Sequence, residues 1–412
     1  MADPLPRGSQ ASESHFTLEP IPATVVAENE TRRRDGNRQL GHCRSGCAEI
    51  DDYVLLGGLE RGSVVGVSAE KEEFGVTLAV QFLAQGLRDG VVKTALVITP
   101  RPAGELLKAL RDGIRASIEG PPSDAQVKQH LDKVMLSCVF DMDGVWEVLA
   151  DLDRPPAPPS PPALEIQDSQ DEDDDASPPP QQQPQEQSKT SPDIIIITHV
   201  SSLLTSLFTH RSSSAAHSAL QLVSSHLRHL SRTLPSHPLV LLLNSTTSTT
   251  SPSNPASNTT NSGSGSGSGS RPLDPILRSV FNPPAIPGYP GAALSRRNKP
   301  TFGLVFTQML DMHLLCTRIP RSATDANQIF APQGQGQGQG QGEYVTVVEV
   351  LLDEMGVWEQ KQKRGVRGSR EQRWGAVEVK DRRVVDAFAN GDKGKKEYGE
   401  VRPTAGFGGP RV

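Results

Sequence analysis

Cysteines, aromatic side chains and long apolar runs are all scarce in this sequence, and each scarcity removes a class of protein. The four cysteines, Cys43, Cys47, Cys138 and Cys316, are too few and too scattered for a disulfide framework, so a reducing, intracellular compartment is expected. His42 stands beside Cys43 and Cys47 without a second ligand pair at metal-site spacing, and no zinc site is expected. Aromatics make up 4% and hydrophobic residues 35% of the 412 positions, against 34 prolines and 37 glycines. That is too little apolar matter to pack the whole chain, and it implies one moderate core interrupted by unpacked stretches. The apolar runs Ile194 to Ile197 and Leu239 to Leu243 fall far short of the ~20 residues that span a bilayer. No N-terminal apolar run reads as a secretory signal, so no membrane segment is expected.

What is present is uneven. The net charge of −6 combines an acidic block, Asp171 to Asp175, with a basic end: residues 361–412 hold 14 Lys and Arg against 7 Asp and Glu, a local charge of +7. Such a tail attracts nucleic acid or an acidic partner, or simply remains a solvated end. Residues 1–44 carry Pro, Ser, Glu and the Arg32 to Arg34 triplet without apolar periodicity, and read as a disordered arm. The core is expected over 45–385, with low-complexity inserts at 154–192, 245–271 and 332–342, and a basic disordered tail over 386–412. The inserts are rich in Pro and Gln, in Ser, Thr and Gly, and in a Gln-Gly repeat respectively. None holds enough apolar surface to offset the entropy of ordering it, so they belong on loops.

Short β-branched runs punctuate the core: Val64 to Val67, Ala95 to Thr99, Val134 to Val139, Ile194 to Thr198, Leu239 to Asn244, Phe302 to Phe306 and His313 to Thr317. Being continuous rather than alternating, they resemble strands buried on both faces. Helical stripes separate several of them: Leu78, Phe82 and Leu83; Leu106, Leu107 and Leu110; Leu220, Val223, Leu227 and Leu230. Strand and helix in alternation imply an α/β fold, a mostly parallel twisted sheet with helices on both faces. Tyr344 to Leu352 and Gly375 to Val379 read as late antiparallel strands at the sheet edge.

In such a sheet, ligands bind at the carboxyl ends of the strands, where a strand-to-helix loop aims N–H groups at phosphate. The first such loop, Ser68 to Gly75, contains Ala69-Glu70-Lys71-Glu72-Glu73-Phe74-Gly75-Val76-Thr77. A working phosphate loop, G-x-x-x-x-G-K-[ST], needs glycines to wrap the phosphate, lysine to neutralise it and a hydroxyl to hold magnesium. Gly75 and Thr77 fit the tail of that pattern, Val76 stands where lysine is required, and the loop is one residue too long. Lys71 is the candidate substitute cation. Glu70, Glu72 and Glu73 place carboxylates where a polyanion would lie, each repulsion costing ~1 kcal/mol even in water-like surroundings. The strand Ile194 to Ile197 closes on Thr198 and His199 rather than on the aspartate that would organise magnesium.

Taken in order, these segments resemble the RecA/RadA recombinases and, more narrowly, the eukaryotic recombinase paralogues. The most specific string is Ser45-Gly46-Cys47-Ala48-Glu49-Ile50-Asp51 followed by Leu55-Leu56-Gly57-Gly58-Leu59-Glu60-Arg61-Gly62-Ser63, which looks like that family's lead-in to its phosphate loop. Leu96 to Pro102, Phe140 to Asp143 with Val145 to Leu152, Leu239 to Asn244, and Lys299 to Gly303 through Leu314 and Leu315 extend the resemblance. It covers roughly residues 45–320 without the inserts.

The resemblance implies a RecA-like P-loop NTPase core whose site is degenerate: Val76 replaces the phosphate lysine, Thr198 the metal aspartate, and Pro100 the glutamate that polarises attacking water. Proline offers neither charge nor N–H, so no hydrolysis and no resident cofactor are expected, ATP with magnesium being what an intact site would take. Lys71, Gly75 and Thr77 are the residues left for a nucleotide. No Phe-x-x-Ala tetrapeptide occurs, which argues for hetero-oligomers over a self-filament. The implied role is a nuclear accessory protein of homologous recombination, partnered with recombinase or paralogue subunits and single-stranded DNA, with Arg296, Arg297 and Lys299 beside the second insert as the DNA-contact candidates. The alternatives are a weak ATP-binding subunit completed by a neighbour's cations, and a RecA-like scaffold subunit outside recombination, such as Elongator's.

Overall fold

A computed structural model describes residues 21–118, 120, 123–153, 191–248, 279, 281, 298–330, 342–355 and 373–388. Its centre is the strand β1, Val64–Ala69, all six residues buried. Beside β1 on one side run β5 (Leu239–Ser248), β4 (Ile194–Ile197), β2 (Ala95–Thr99) and β3 (Val134–Cys138), all parallel to it. On the other side β7 (Met312–Pro320) is parallel, and β8 (Tyr344–Asp353), β9 (Trp374–Lys380) and β10 (Arg383–Asp386) follow in antiparallel succession. The order is β10-β9-β8-β7-β1-β5-β4-β2-β3, with β6 (Asn298–Pro300) paired to the end of β5. The expected α/β class, its mostly parallel sheet and its late antiparallel strands are all present.

The two faces carry separate apolar cores, which is why the central strands lack alternation. Ile194 and Ile196 pack with β1, the helices α2 (Glu72–Arg88) and α3 (Ala103–Ser117), and the π-helical turn Glu49–Val54. Ile195 and Ile197 pack on the opposite side against α5 (Met142–Asp153), α6 (Val200–His210), α7 (Ser213–Thr233) and α8 (Gly303–Thr307). Each fully buried isoleucine contributes ~1.5–3 kcal/mol. A short helix α4 (Asp124–Leu131), closed by a Ser123–Gln126 capping box, leads from α3 into β3. Gly66 has no room for a side chain: a Cβ there would sit 2.3 Å from Leu310 Cδ1 and 2.8 Å from Phe306 Cε1, so the segment after α8 lies directly on β1.

Several expectations need correcting. The arm anticipated over 1–44 contains the helix α1, Ala23–Gln39, docked by Asn37, whose amide donates to the Arg61 carbonyl at 3.0 Å. Its apolar moment is weak because polar contacts, not a hydrophobic stripe, hold it. Phe302 to Phe306 is not a strand: Phe302 adopts a left-handed φ of 59° and starts α8, burying Phe306 and exposing Leu304. The insert expected from 245 begins later, since β5 continues to Ser248 and pairs with β6. Leu107 faces solvent while Leu106 and Leu110 are buried. The C-terminal sheet edge gains β10, held by Gln81 of α2: its amide donates to the Ser45 and Val384 carbonyls and accepts the Val384 N–H at 2.6 Å.

The amino-terminal end of the sheet is tied by buried charge. Arg61 pairs with Asp193, whose other oxygen accepts the N–H groups of Lys93 (2.7 Å) and Thr94 (3.1 Å). Asp311 accepts the Val64 N–H at 2.9 Å and faces Arg228 and Arg232 of α7. Asp51 accepts the N–H and hydroxyl of Ser45 and the N–H of Gly46. Much of the lead-in string therefore serves to staple the turn before β1. Among the described residues, no helix is long and apolar enough to cross a membrane.

Candidate functional site at the carboxyl edge of the sheet

Strand β1 ends at Ala69 and α2 begins at Glu72, leaving Glu70 and Lys71 alone between them. The eight-residue loop expected over Ser68 to Gly75 is thus a tight connection, with no backbone arc to wrap a phosphate. Glu70 prolongs the pairing with β7: its N–H donates to the Cys316 carbonyl (3.1 Å) and its carboxylate accepts the Arg318 N–H (3.0 Å). Lys71 is exposed and extended at the helix start, without a side-chain cap.

The other two phosphate-loop candidates lie inside α2. Gly75 is buried in its first turn, where an added Cβ would make ordinary 3.5 Å contact with Ala69 Cβ, so nothing there requires glycine. The Thr77 hydroxyl donates to the Glu73 carbonyl at 2.8 Å, the common back-bond of a helical threonine. Lys71, Gly75 and Thr77 therefore do not converge on one point. Nor do the three glutamates crowd together: Glu70 turns to β7, Glu72 to α6, and Glu73 to solvent.

At the end of β4 the chain makes a strained turn. His199 has φ 53° and ψ 40°, a left-handed conformation that costs a non-glycine residue ~1–2 kcal/mol and is often found at functional sites. The Thr198 hydroxyl donates to the Thr99 hydroxyl at 2.8 Å, and Thr99 Oγ1 also accepts the Arg101 N–H at 3.1 Å. With its proton committed there, Thr198 Oγ1 accepts from His199 Nδ1 at 3.0 Å, which leaves Nε2 facing Glu72 Oε2 at 3.6 Å. Ser201 donates to Glu72 Oε1 at 3.3 Å. Burial lowers the His199 pKa, with Glu72 pulling the other way. The neutral hydroxyl pair Thr99–Thr198 closes β2 and β4, with no carboxylate on either strand end. Among the described residues, no group of three or more His, Cys, Asp or Glu could hold a metal ion.

A second polar cluster, not foreseen from the sequence, lies beneath. His313 is fully buried on β7; its Nε2 meets the Ser68 hydroxyl at 2.9 Å and its Nδ1 the Thr307 hydroxyl at 3.3 Å. Asn244 of β5 donates to Ser68 Oγ (3.2 Å) and the Thr301 carbonyl (3.0 Å). Burial pushes His313 down to about 3. Ser68 and His313 look like a nucleophile and base, but both are fully buried, so no substrate reaches them. The one signal in the sequence was that Ser68 and Asn244 close two apolar strands.

Of the DNA-contact candidates, Lys299 sits half-buried on β6 opposite Thr247, whereas Arg296 and Arg297 lie outside the described residues.

No family model matches the sequence, and no curated protein matches it. Among solved structures the chain is similar to the crystal structure of the RadB recombinase, at a TM-score of 0.44 and 12% identity, covering 84% of this chain and 99% of that one.

Proposed function

We propose that this chain is a RecA-like accessory subunit of DNA recombination that neither hydrolyses ATP nor holds it, and works through protein partners in the nucleus. The observation that carries this reading is the corner between β1 and α2: a connection of Glu70 and Lys71 only, with Thr77 back-bonded within the helix. A phosphate cradle needs free N–H groups on an arc of loop, a lysine and a free hydroxyl. Lys71 is present, but there is no arc of loop around it and the Thr77 hydroxyl is already spent on Glu73.

Partner binding is supported by the far edge of the sheet. Among the described residues strand β3 pairs only with β2, and native proteins normally blunt such an edge or use it to take a partner's strand. Its outward side carries Met135, 42% exposed, and it ends beside Phe140, 97% exposed. A half-open strand flanked by unburied apolar side chains suits an extended segment of another subunit.

The test is to purify the tagged chain from its native cells, identify what accompanies it, and titrate a fluorescent ATP analogue with magnesium against both the chain and the complex. Recombinase-type partners lost on Phe140→Asp, with no nucleotide bound in either state, are the expected result. Nucleotide bound by the isolated chain and abolished by Thr77→Ala would overturn the non-nucleotide reading. Partners drawn from a tRNA-modifying assembly would overturn the assignment to recombination.

A further inference from the structure

The described residues enclose a groove of about 310 Å³ between α2, α3 and the β9–β10 turn. It runs along α2 from Thr77 to Gln85, on the side of the helix that faces α3 and β10, and none of its lining comes from β3. Its apolar lining comes from Val80, Ala109, Gly113 and Val379. Gly113 sets the closeness of the two helices, since a Cβ there would sit 2.4 Å from Val80 Cγ1. Val379 is 49% exposed although it sits on a strand whose neighbour on the same face, Val377, is fully buried.

Charge around this lining is asymmetric. Lys108, Arg382 and Arg383 face the groove with Glu105 and Asp112. Arg382 is ion-paired to Asp112, which neutralises both. The side chains of Lys108 and Arg383 have no hydrogen-bond or ion-pair partner among the described residues, so the rim has a surplus of positive charge.

The backbone that presents these arginines is held under strain. Asp381 and Arg382 form the two-residue connection between β9 and β10, and both have positive φ, 48° and 63°. Hairpin turns of this kind normally take Asn-Gly or Asp-Gly; an arginine at the second position costs ~1–2 kcal/mol. The Asp112 ion pair and the three Gln81 hydrogen bonds to β10 and Ser45 hold it in place. Strain retained at a cationic rim is the pattern of a ligand clamp.

We propose that this groove is a docking site for a short acidic peptide segment of a protein partner, one in which a carboxylate side chain lies next to an apolar one. The apolar side chain rests on Val80, Ala109 and Val379, and the carboxylate meets Lys108 and Arg383. The volume matches one or two side chains rather than a folded surface. A nucleic-acid strand is disfavoured because Glu105 and Asp112 share the rim, and a continuous phosphate backbone calls for a cationic stripe.

The test uses a short fluorescein-labelled peptide of alternating aspartate and leucine, titrated against the full chain by anisotropy. Binding is expected to weaken about tenfold, roughly 1.4 kcal/mol, in Lys108→Glu, to recover in Lys108→Arg, and to fall when serine replaces leucine in the peptide. Lys108 is exposed, so its substitution leaves the fold intact, which circular dichroism verifies; Val379→Asp tests the apolar floor separately. Equal binding to the Lys108→Glu chain, equal binding of a lysine–leucine peptide, or tighter Lys108-dependent binding of single-stranded DNA would each overturn the proposal. Phe140→Asp leaves this binding unchanged, so the result is independent of the β3 edge.

Discussion

The two ends of the parallel strands have been treated in opposite ways. At the amino-terminal end, Arg61 and Asp193 are buried and ion-paired to each other, and Asp311 ties Val64 to α7. At the carboxyl end, where charge would face a ligand, the chain has neutral hydroxyls at Thr99 and Thr198, a half-buried histidine, and glutamates turned to local partners. Buried ion pairs staple one end of the sheet, while at the other neutral hydroxyls close β2 and β4 and the nearby carboxylates are held by local hydrogen bonds. The core itself rests on the apolar faces of β1, β4 and β5.

The largest effect that would sharpen this contrast is at the amino-terminal end. Asp193→Ala leaves Arg61 buried without its counter-ion and strands the N–H groups of Lys93 and Thr94, and should cost ~3–5 kcal/mol, read as a lower urea midpoint at unchanged slope. A cost below that of an ordinary surface substitution would break the comparison.

Acid should act next, through His313 beneath the carboxyl end. Its folded pKa, about 3, lies below the ordinary 6.5. Its contribution is therefore complete above 6.5 and is lost as pH falls from 6.5 toward 3, because the unfolded chain takes up the proton first. The loss approaches ~1.4 kcal/mol per pH unit; His199, also lowered, adds in the same direction. Unfolding midpoints measured across that window in the native chain and in His313→Gln should converge at acid pH.

The carboxyl-edge pairs should matter less. Glu72→Gln removes an interaction between side chains that are 33% and 16% exposed, and is expected to change stability by less than ~1 kcal/mol. The smallest effect belongs to Thr77→Ala, expected within ~0.5 kcal/mol, with no change in the melting response to ATP and magnesium. A nucleotide-dependent rise in melting temperature that this substitution erased would restore the corner as a working site.

Legibility in the sequence followed the range of the forces involved. The parallel strands were visible because burial on both faces demands continuous apolar runs, and the late strands because turns and β-branched residues set them apart. Phe302 to Phe306 misled because five apolar or small residues suit a strand or a helical turn equally; the left-handed φ of Phe302 and the buried pocket for Phe306 decided it. Helix α1 was invisible because it docks through Asn37 and Arg33 on Arg61 and Gly62, contacts that leave no periodic trace. Val76 and Thr198 could be seen to lack the required groups. That the Ser68 to Gly75 stretch would shrink to Glu70 and Lys71 could not, because α2 extends backwards only once Phe74 finds its place in the core.

By itself, the sequence determined the α/β class and the succession of the main strands along the chain, since these depend on residue type and local pattern. Tertiary structure alone decided where each polar group points: Glu70 to β7, Thr198 to Thr99, Arg382 across to Asp112. A side chain's partner depends on which distant strand or helix lies beside it, and that follows from packing the whole sheet.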